Sequence, residues 1–270
     1  MKKQTWIKIL LVVNILLIAF LVFMRINVEP TIEDANKDDE VIEVVPEGPA
    51  VDDYRAKVKD LFDQYGPLNE DYVGQIVIKG DLIDLPFVQS QLEDQVAAYD
   101  QYLRTDFMTM EHDEEGSIFM DPNNQLDDQN IVIYGHYVYP FLDPEQTHKF
   151  SPLHQLKDET NYEQHNEIQL YLHDEVRTYE IANVYYAQII VDEDGYETVA
   201  PGSEYMYKNY TSEEFANYFD YINANEFYDT GIDINEDDCL LTLQTCVENR
   251  DDLRLIIVAK EIEVIELWIK

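Results

Sequence analysis

About eight short runs rich in Ile, Val, Tyr and Thr, each bounded by Asp, Asn, Gly or Pro, recur between residues 73 and 260, and they restrict the fold more than any other feature. The runs are 73–78 (VGQIVI), 85–88 (LPFV), 117–120 (SIFM), 130–135 (NIVIYG), 167–172 (EIQLYL), 177–190 (RTYEIANVYYAQII), 239–246 (CLLTLQTC) and 253–260 (LRLIIVAK). Helical spacing is rarer. Residues 54–65 place Val58, Leu61, Phe62 and Tyr65 on one face before Gly66-Pro67, and a second helix is expected near residues 89–103. A third, over 211–223, opens with Thr211-Ser212-Glu213-Glu214, a capping box by residue type. Many strands with few helices and no internal repeat predict a mainly β chain, a closed barrel or a sandwich. With 46% hydrophobic residues a core can be built, and with only 9 Gly, 10 Pro and 2 Cys the chain is neither collagen-like, low-complexity nor a disulfide-stapled miniprotein.

Charge divides the chain. There are 18 basic against 56 acidic residues, a formal net charge of -38 at pH 7, which excludes nucleic acid as a natural partner because phosphate binding needs Lys and Arg. The first 28 residues run the other way, with Lys2, Lys3, Lys8 and Arg25 and no acidic side chain. Residues 9–24 (ILLVVNILLIAFLVFM) are apolar except for Asn14. Extended by Ile7, with Lys8 snorkelling, they cover about 27 Å as a helix, enough for a bilayer core. No small-x-small cleavage site follows, so the expectation is an uncleaved anchor rather than a signal peptide. The expected order is a cytoplasmic tail over 1–8, a transmembrane signal anchor over 9–25, an acidic linker over 26–52 and a folded domain over 53–270. Lysines on the cytoplasmic side put that domain outside the cell.

Cys239 and Cys246 bracket one strand-like run, seven residues apart. An odd separation sends their side chains to opposite faces, about 23 Å apart, so a disulfide between them is excluded. Cys239 reads as a buried structural thiol. Cys246 stands at a strand end before a polar loop, where a thiol is accessible and suited to nucleophilic chemistry. His136 also ends a strand, Ile131-Val132-Ile133-Tyr134-Gly135-His136, whereas His112, His148, His154, His165 and His173 lie in polar surroundings and read as surface residues. Thiol attack on an acyl group needs a positive partner for the developing oxyanion, and Arg254, entering the last apolar strand, is favoured over Arg250 in the loop before it. Asp192-Glu193-Asp194-Gly195 lacks the full calcium-loop pattern and reads as a turn.

The set Ile133-Tyr134-Gly135-His136, Leu241-Thr242-Leu243-Gln244-Thr245-Cys246 and Arg254 within LRLIIVAK resembles the sortases, cysteine transpeptidases of the Gram-positive surface. The TLxTC pattern is complete at residues 242–246. Gly116-Ser117-Ile118-Phe119, Asp84-Leu85-Pro86-Phe87-Val88-Gln89, Tyr228-Asp229-Thr230-Gly231 and the helix at 211–223 resemble class B. The resemblance spans residues 54–260. It implies an eight-stranded sortase-type β-barrel with N-terminal helices and a helix in the insertion before the cysteine strand. It departs at Tyr137-Val138-Tyr139-Pro140-Phe141-Leu142, where an Asn-Met type continuation is expected, and at Gln244, where Ser is common. Both positions border the groove and bear on substrate choice.

What the resemblance implies is acyl transfer with His136, Cys246 and Arg254 catalytic and Thr245 at the substrate. No metal or cofactor is needed. The partners are secreted proteins with a C-terminal sorting signal, cleaved after Thr, and an amine from a peptidoglycan precursor or a pilin. A catalytically silent peptide-binding module is the reading from another class. A papain-like hydrolase fits poorly, because there Cys precedes His in the chain.

Overall fold

The computed structural model describes residues 51–191 and 197–267. The expected anchor at 9–25, most of the acidic linker and the Asp192 turn lie outside them. Helix α1 (Val51–Tyr65) leads into strands β1 (Tyr72–Ile78) and β2 (Ile83–Val88), helix α2 (Gln95–Gln101), β3 (Ile118–Met120) and β4 (Asn130–Tyr134). A 3-10 helix (Ser151–Lys157) and α3 (Glu159–His165) precede β5 (Glu167–Leu172), β6 (Glu175–Val191) and β7 (Glu197–Val199). The chain continues through α4 (Ser212–Asn225), β8 (Leu240–Val247) and β9 (Arg250–Glu266). Among the described residues no helix is long and apolar enough to cross a membrane.

The strand order β5-β1-β2-β3-β4-β8-β9-β6 closes on itself because β6 also pairs with β5, giving an eight-stranded barrel; β7 joins only the far end of β6. Closure removes the exposed edges that an open sheet of these apolar strands would present. Side chains alternate across the wall. Leu241 and Leu243 of β8, Leu255, Ile257 and Ala259 of β9, and Ile131 and Ile133 of β4 are buried in the interior cluster with Ile76, Phe87 and Leu170. At about 1.5–3 kcal/mol for each fully buried large apolar side chain, this layer dominates the stabilisation. The opposite face is also covered: Phe215, Tyr218 and Ile222 of α4 pack over Tyr185, Leu240, Ile256 and Val258.

Several elements differ from expectation for identifiable reasons. The helix expected near residues 89–103 is confined to Gln95–Gln101. Gln89 is held by its backbone N–H to Asp71 O and by its amide to Asp121 O and Asn124 O, and the helix starts only where Asp94 caps it by accepting from Ala97 N. Helix α1 begins at Val51, within the expected linker, with Asp52 and Asp53 in the first turn, where carboxylates suit the helix dipole. Strand β9 starts at Arg250 rather than Leu253, so Arg250 belongs to the strand and not to a loop. The capping box at Thr211 is formed as expected, with Thr211 and Glu214 satisfying each other's backbone N–H groups.

Cys239 is a correction. It is exposed, not buried, because β8 begins one residue later at Leu240 and the sheet does not enclose the thiol. Desolvation, followed by the nearby Glu261 carboxylate, still pushes its pKa above the ordinary thiol value. Neither cysteine forms a disulfide, in agreement with the geometric exclusion of one between them.

Candidate active site

Three neighbouring strands carry the site. β4 and β8 run parallel with Tyr134 opposite Gln244, and β8 pairs antiparallel with β9 so that Cys246 faces Arg254. Continuing the β4 register by two residues sets His136 level with Cys246. With adjacent strands about 4.8 Å apart, His136, Cys246 and Arg254 form one row across three chain segments. All three border one cavity of about 410 Å³ on the outer face of the barrel. That volume suits a segment of extended peptide. Tyr99, Phe119 and Tyr134 supply an aromatic wall, and Ile189 of β6 stands on the other side. The wall is pinned, because the Tyr99 and Tyr134 hydroxyls both donate to Asp121 Oδ2, at 2.5 and 2.8 Å.

The strand period decides which motif residues reach the cavity. Gln244 and Cys246 share the outer face, whereas Thr245 points into the barrel with Leu241 and Leu243 and is fully buried. Thr245, expected at the substrate, therefore does not line the cavity; one step along the strand turns it to the other face. Thr242 is buried too, on the outer face under α4, and donates from Oγ1 to Asn130 Oδ1 at 2.8 Å.

Gly135 has a steric reason. Its position faces inward, and a Cβ there meets Ile118 Cδ1 at 2.5 Å and the Phe150 ring at 2.6 Å. Both neighbours are buried, and the Phe150 ring is met at its Cγ rather than its tip, so Gly135→Ala is expected to cost about 1–3 kcal/mol by overpacking. Thermal unfolding checks this: the midpoint falls by several degrees, and an unchanged midpoint contradicts the packing account.

His136 is held from outside its own strand. Its Nε2 lies 2.6 Å from the Leu103 carbonyl oxygen. A carbonyl only accepts, so Nε2 carries the proton and Nδ1 is the nitrogen that changes protonation. Leu103 is in turn placed by Gly116-Ser117. Ser117 N donates to Tyr102 O at 2.9 Å and Ser117 Oγ to Thr105 O at 2.7 Å. Gly116, at φ +56, passes so close that a Cβ would lie 2.4 Å from Leu103 O. Burial holds the His136 pKa below the ordinary histidine value, the Leu103 bond opposing it and the Arg104 charge adding to it. At neutral pH the neutral imidazole dominates.

Arg254 Nη1 donates to Asp251 O at 2.8 Å and Leu253 O at 3.0 Å, which keeps the guanidinium at the strand end beside the cavity. His112, His148 and His173 are exposed, as expected. His154 is not. It is half-buried on the 3-10 helix, with Nε2 3.0 Å from the Cys246 carbonyl oxygen. Desolvation lowers its pKa to about 4. Residue type and local polarity did not reveal it; the signal present was Leu153 and Leu156 at helical spacing, which marks a buried turn but not its partner.

Comparison with known proteins agrees with this fold. The Sortase domain family matches residues 92–262. Sortase B of Staphylococcus aureus (strain NCTC 8325 / PS 47) is 24% identical over 215 residues, 78% of each chain. Among solved structures, the X-ray structure of Clostridium perfringens sortase B is 28% identical with a TM-score of 0.58, covering 74% of this chain and 99% of that one. The Staphylococcus aureus sortase B–substrate complex has a TM-score of 0.60 at 21% identity, covering 78% and 94%. The family match over most of the chain, the class B neighbours and the closed eight-stranded barrel agree, and this chain belongs to the sortase family of cysteine transpeptidases.

Proposed function

We propose that the protein is a membrane-anchored, extracytoplasmic transpeptidase that cleaves a C-terminal sorting motif after Thr and joins the acyl group to an amine of the cell wall. The observation that carries it is the row of His136, Cys246 and Arg254 across three neighbouring chain segments, all bordering one cavity. In this reading the Cys246 thiolate attacks the carbonyl carbon of the Thr residue, forming a C–S bond and a tetrahedral oxyanion. Arg254 stands next to Cys246 across the ladder and stabilises that charge. Protonated His136 gives its proton to the leaving amine as the C–N bond breaks, leaving a thioester. The incoming amine attacks the thioester, neutral His136 takes up its proton, and the thiolate departs. The starting state returns with one amide broken and one made.

The anchor and the outward location rest on the basic start and apolar run of residues 1–25. The substrate class is supported by the substrate complex known for the Staphylococcus aureus relative and by the size and aromatic wall of the cavity. Intact-mass spectrometry of the full-length chain in detergent, with a library of Pro-x-Thr peptides and an amine, tests the reading. An acyl adduct that moves to the amine is expected; a folded protein with a reactive Cys246 and no adduct with any peptide would favour a silent binding module. Comparing a muropeptide amine with a lysine ε-amine separates wall anchoring from pilin polymerisation.

A further inference from the structure

His154 touches the chain at both ends of the reacting pair. Its Nε2–H donates to the carbonyl oxygen of Cys246, the proposed nucleophile's own residue, at 3.0 Å. Its ring lies 4.6 Å from the ring of Tyr137, the residue that follows His136. Tyr137 continues the contact to the hairpin after Cys246, with its hydroxyl 3.3 Å from Glu248 Oε2. One imidazole thus meets the exits of β4 and β8 together.

These exits need such a contact. Between Cys246 and Val247 the β8–β9 register breaks, so the regular ladder ends at the nucleophile. A peptide unit is planar, and holding the Cys246 carbonyl fixes ψ of that residue and the direction in which its side chain leaves the wall. The platform beneath His154 is firm. Leu153 and Leu156 of the 3-10 helix are fully buried in the barrel core, and Tyr228 OH donates to Leu156 O at 2.7 Å. This gives the Tyr228-Asp229-Thr230-Gly231 segment a part in the site, since it locks the helix that carries His154.

We propose that His154 is a positioning residue that fixes the Cys246 peptide and, through Tyr137, the spacing between the ends of the strands bearing His136 and Cys246. This rests on the reading of Cys246 and His136 as the reacting pair. The burial that keeps the imidazole neutral also means that it brings no charge beside the thiol. His154 donates one hydrogen bond and takes no part in proton transfer.

The test compares His154→Phe, which keeps a buried ring without the donor, with His154→Gln, which keeps an N–H donor. Both are made in the full-length Cys239→Ala chain so that only Cys246 reports. For His154→Phe, kcat is expected to fall about 100-fold with KM unchanged, the penalty for a misplaced reacting group, and alkylation of Cys246 by iodoacetamide to change in rate. His154→Gln restores most of both. Wild-type kcat in His154→Phe overturns the proposal, as does a His154→Gln variant no faster than His154→Phe. Alkylation is independent of the peptide substrate. If the parent chain transfers no acyl group while the variants still differ in alkylation, the functional reading fails and the positioning role stands; equal alkylation in all three removes that role.

Discussion

Cys246→Ala is expected to lower acyl transfer by at least about four orders of magnitude, while Cys239→Ala leaves it within about twofold of the parent. The two thiols are chemically the same group in different places. Cys246 borders the 410 Å³ cavity, opposite Arg254 and level with the continuation of β4 to His136. Cys239 precedes the other end of the same strand, beside Glu261 and Asp238, whose charges disfavour a thiolate. In the proposed mechanism the Cys246 thiol forms the covalent intermediate, so its loss removes that step. Because Cys246 is only half-buried at a strand end, Cys246→Ala should keep the parent's unfolding midpoint. Single-turnover mass spectrometry with a sorting peptide is the check. A dead Cys239→Ala protein beside a working Cys246→Ala protein reverses the assignment.

For His136 two substitutions separate holding from proton transfer. His136→Ala loses both and is expected to reduce kcat by about 10²–10⁴-fold. His136→Gln can still donate to the Leu103 carbonyl but cannot shuttle a proton, so it should remain as slow as His136→Ala. If His136→Gln recovers the parent's kcat, the residue is structural. Protonation adds a second, independent readout. Burial disfavours the charged imidazole more than the Leu103 bond favours it, so the titration midpoint lies below 6.5. Lowering the pH from neutral therefore raises the share of the imidazolium that protonates the leaving amine, as long as the thiolate is still present. NMR titration of the imidazole in Cys246→Ala protein reads that midpoint directly, and a value at or above 6.5 contradicts the account of its burial.

Exposed aromatic residues follow His136, outside the set that lines the cavity. Tyr139 and Phe141 stack at 5.8 Å, and Phe141 is 78% exposed. The loop is nonetheless ordered by its base. Val138 N donates to Ser151 Oγ at 2.8 Å, and Phe150 N to His136 O at 3.0 Å. Those bonds hold the backbone of His136 while leaving the ring to Leu103. Residues 137–142, expected from the sequence to affect substrate choice, are thus tied mechanically to His136.

Much of the barrel was legible because strands have a short period and strong residue preferences. The eight runs correspond to strands β1 to β6, β8 and β9, with β6 and β9 longer than their apolar cores. The C-terminal extension of β9, residues 261–266 (EIEVIE), mixes charged and apolar residues, and it finds its ladder partner in the start of β6, where Glu266 pairs with Glu175. The two short helical elements between β4 and β5 were missed because seven residues each give too little periodicity to register. Strand parity also corrects the expectation for Thr245, since the alternation that brings Cys246 to the cavity turns its neighbour inward.

By itself the sequence determined the side chains available for acyl transfer and their places at strand ends. It also determined that the acidic domain and the basic start differ in charge, whereas the need for a small residue at Gly135 comes from Ile118 and Phe150, which only the fold brings against it. Tertiary structure alone decided which neighbours tune those groups. Leu103 O reaches His136 across 33 residues, and His154 reaches Cys246 O across 92. In both contacts one partner is a backbone carbonyl, which every residue carries. A hydrogen bond to it leaves no residue-type signature along the chain, and it exists only where closure of the barrel brings the two segments together.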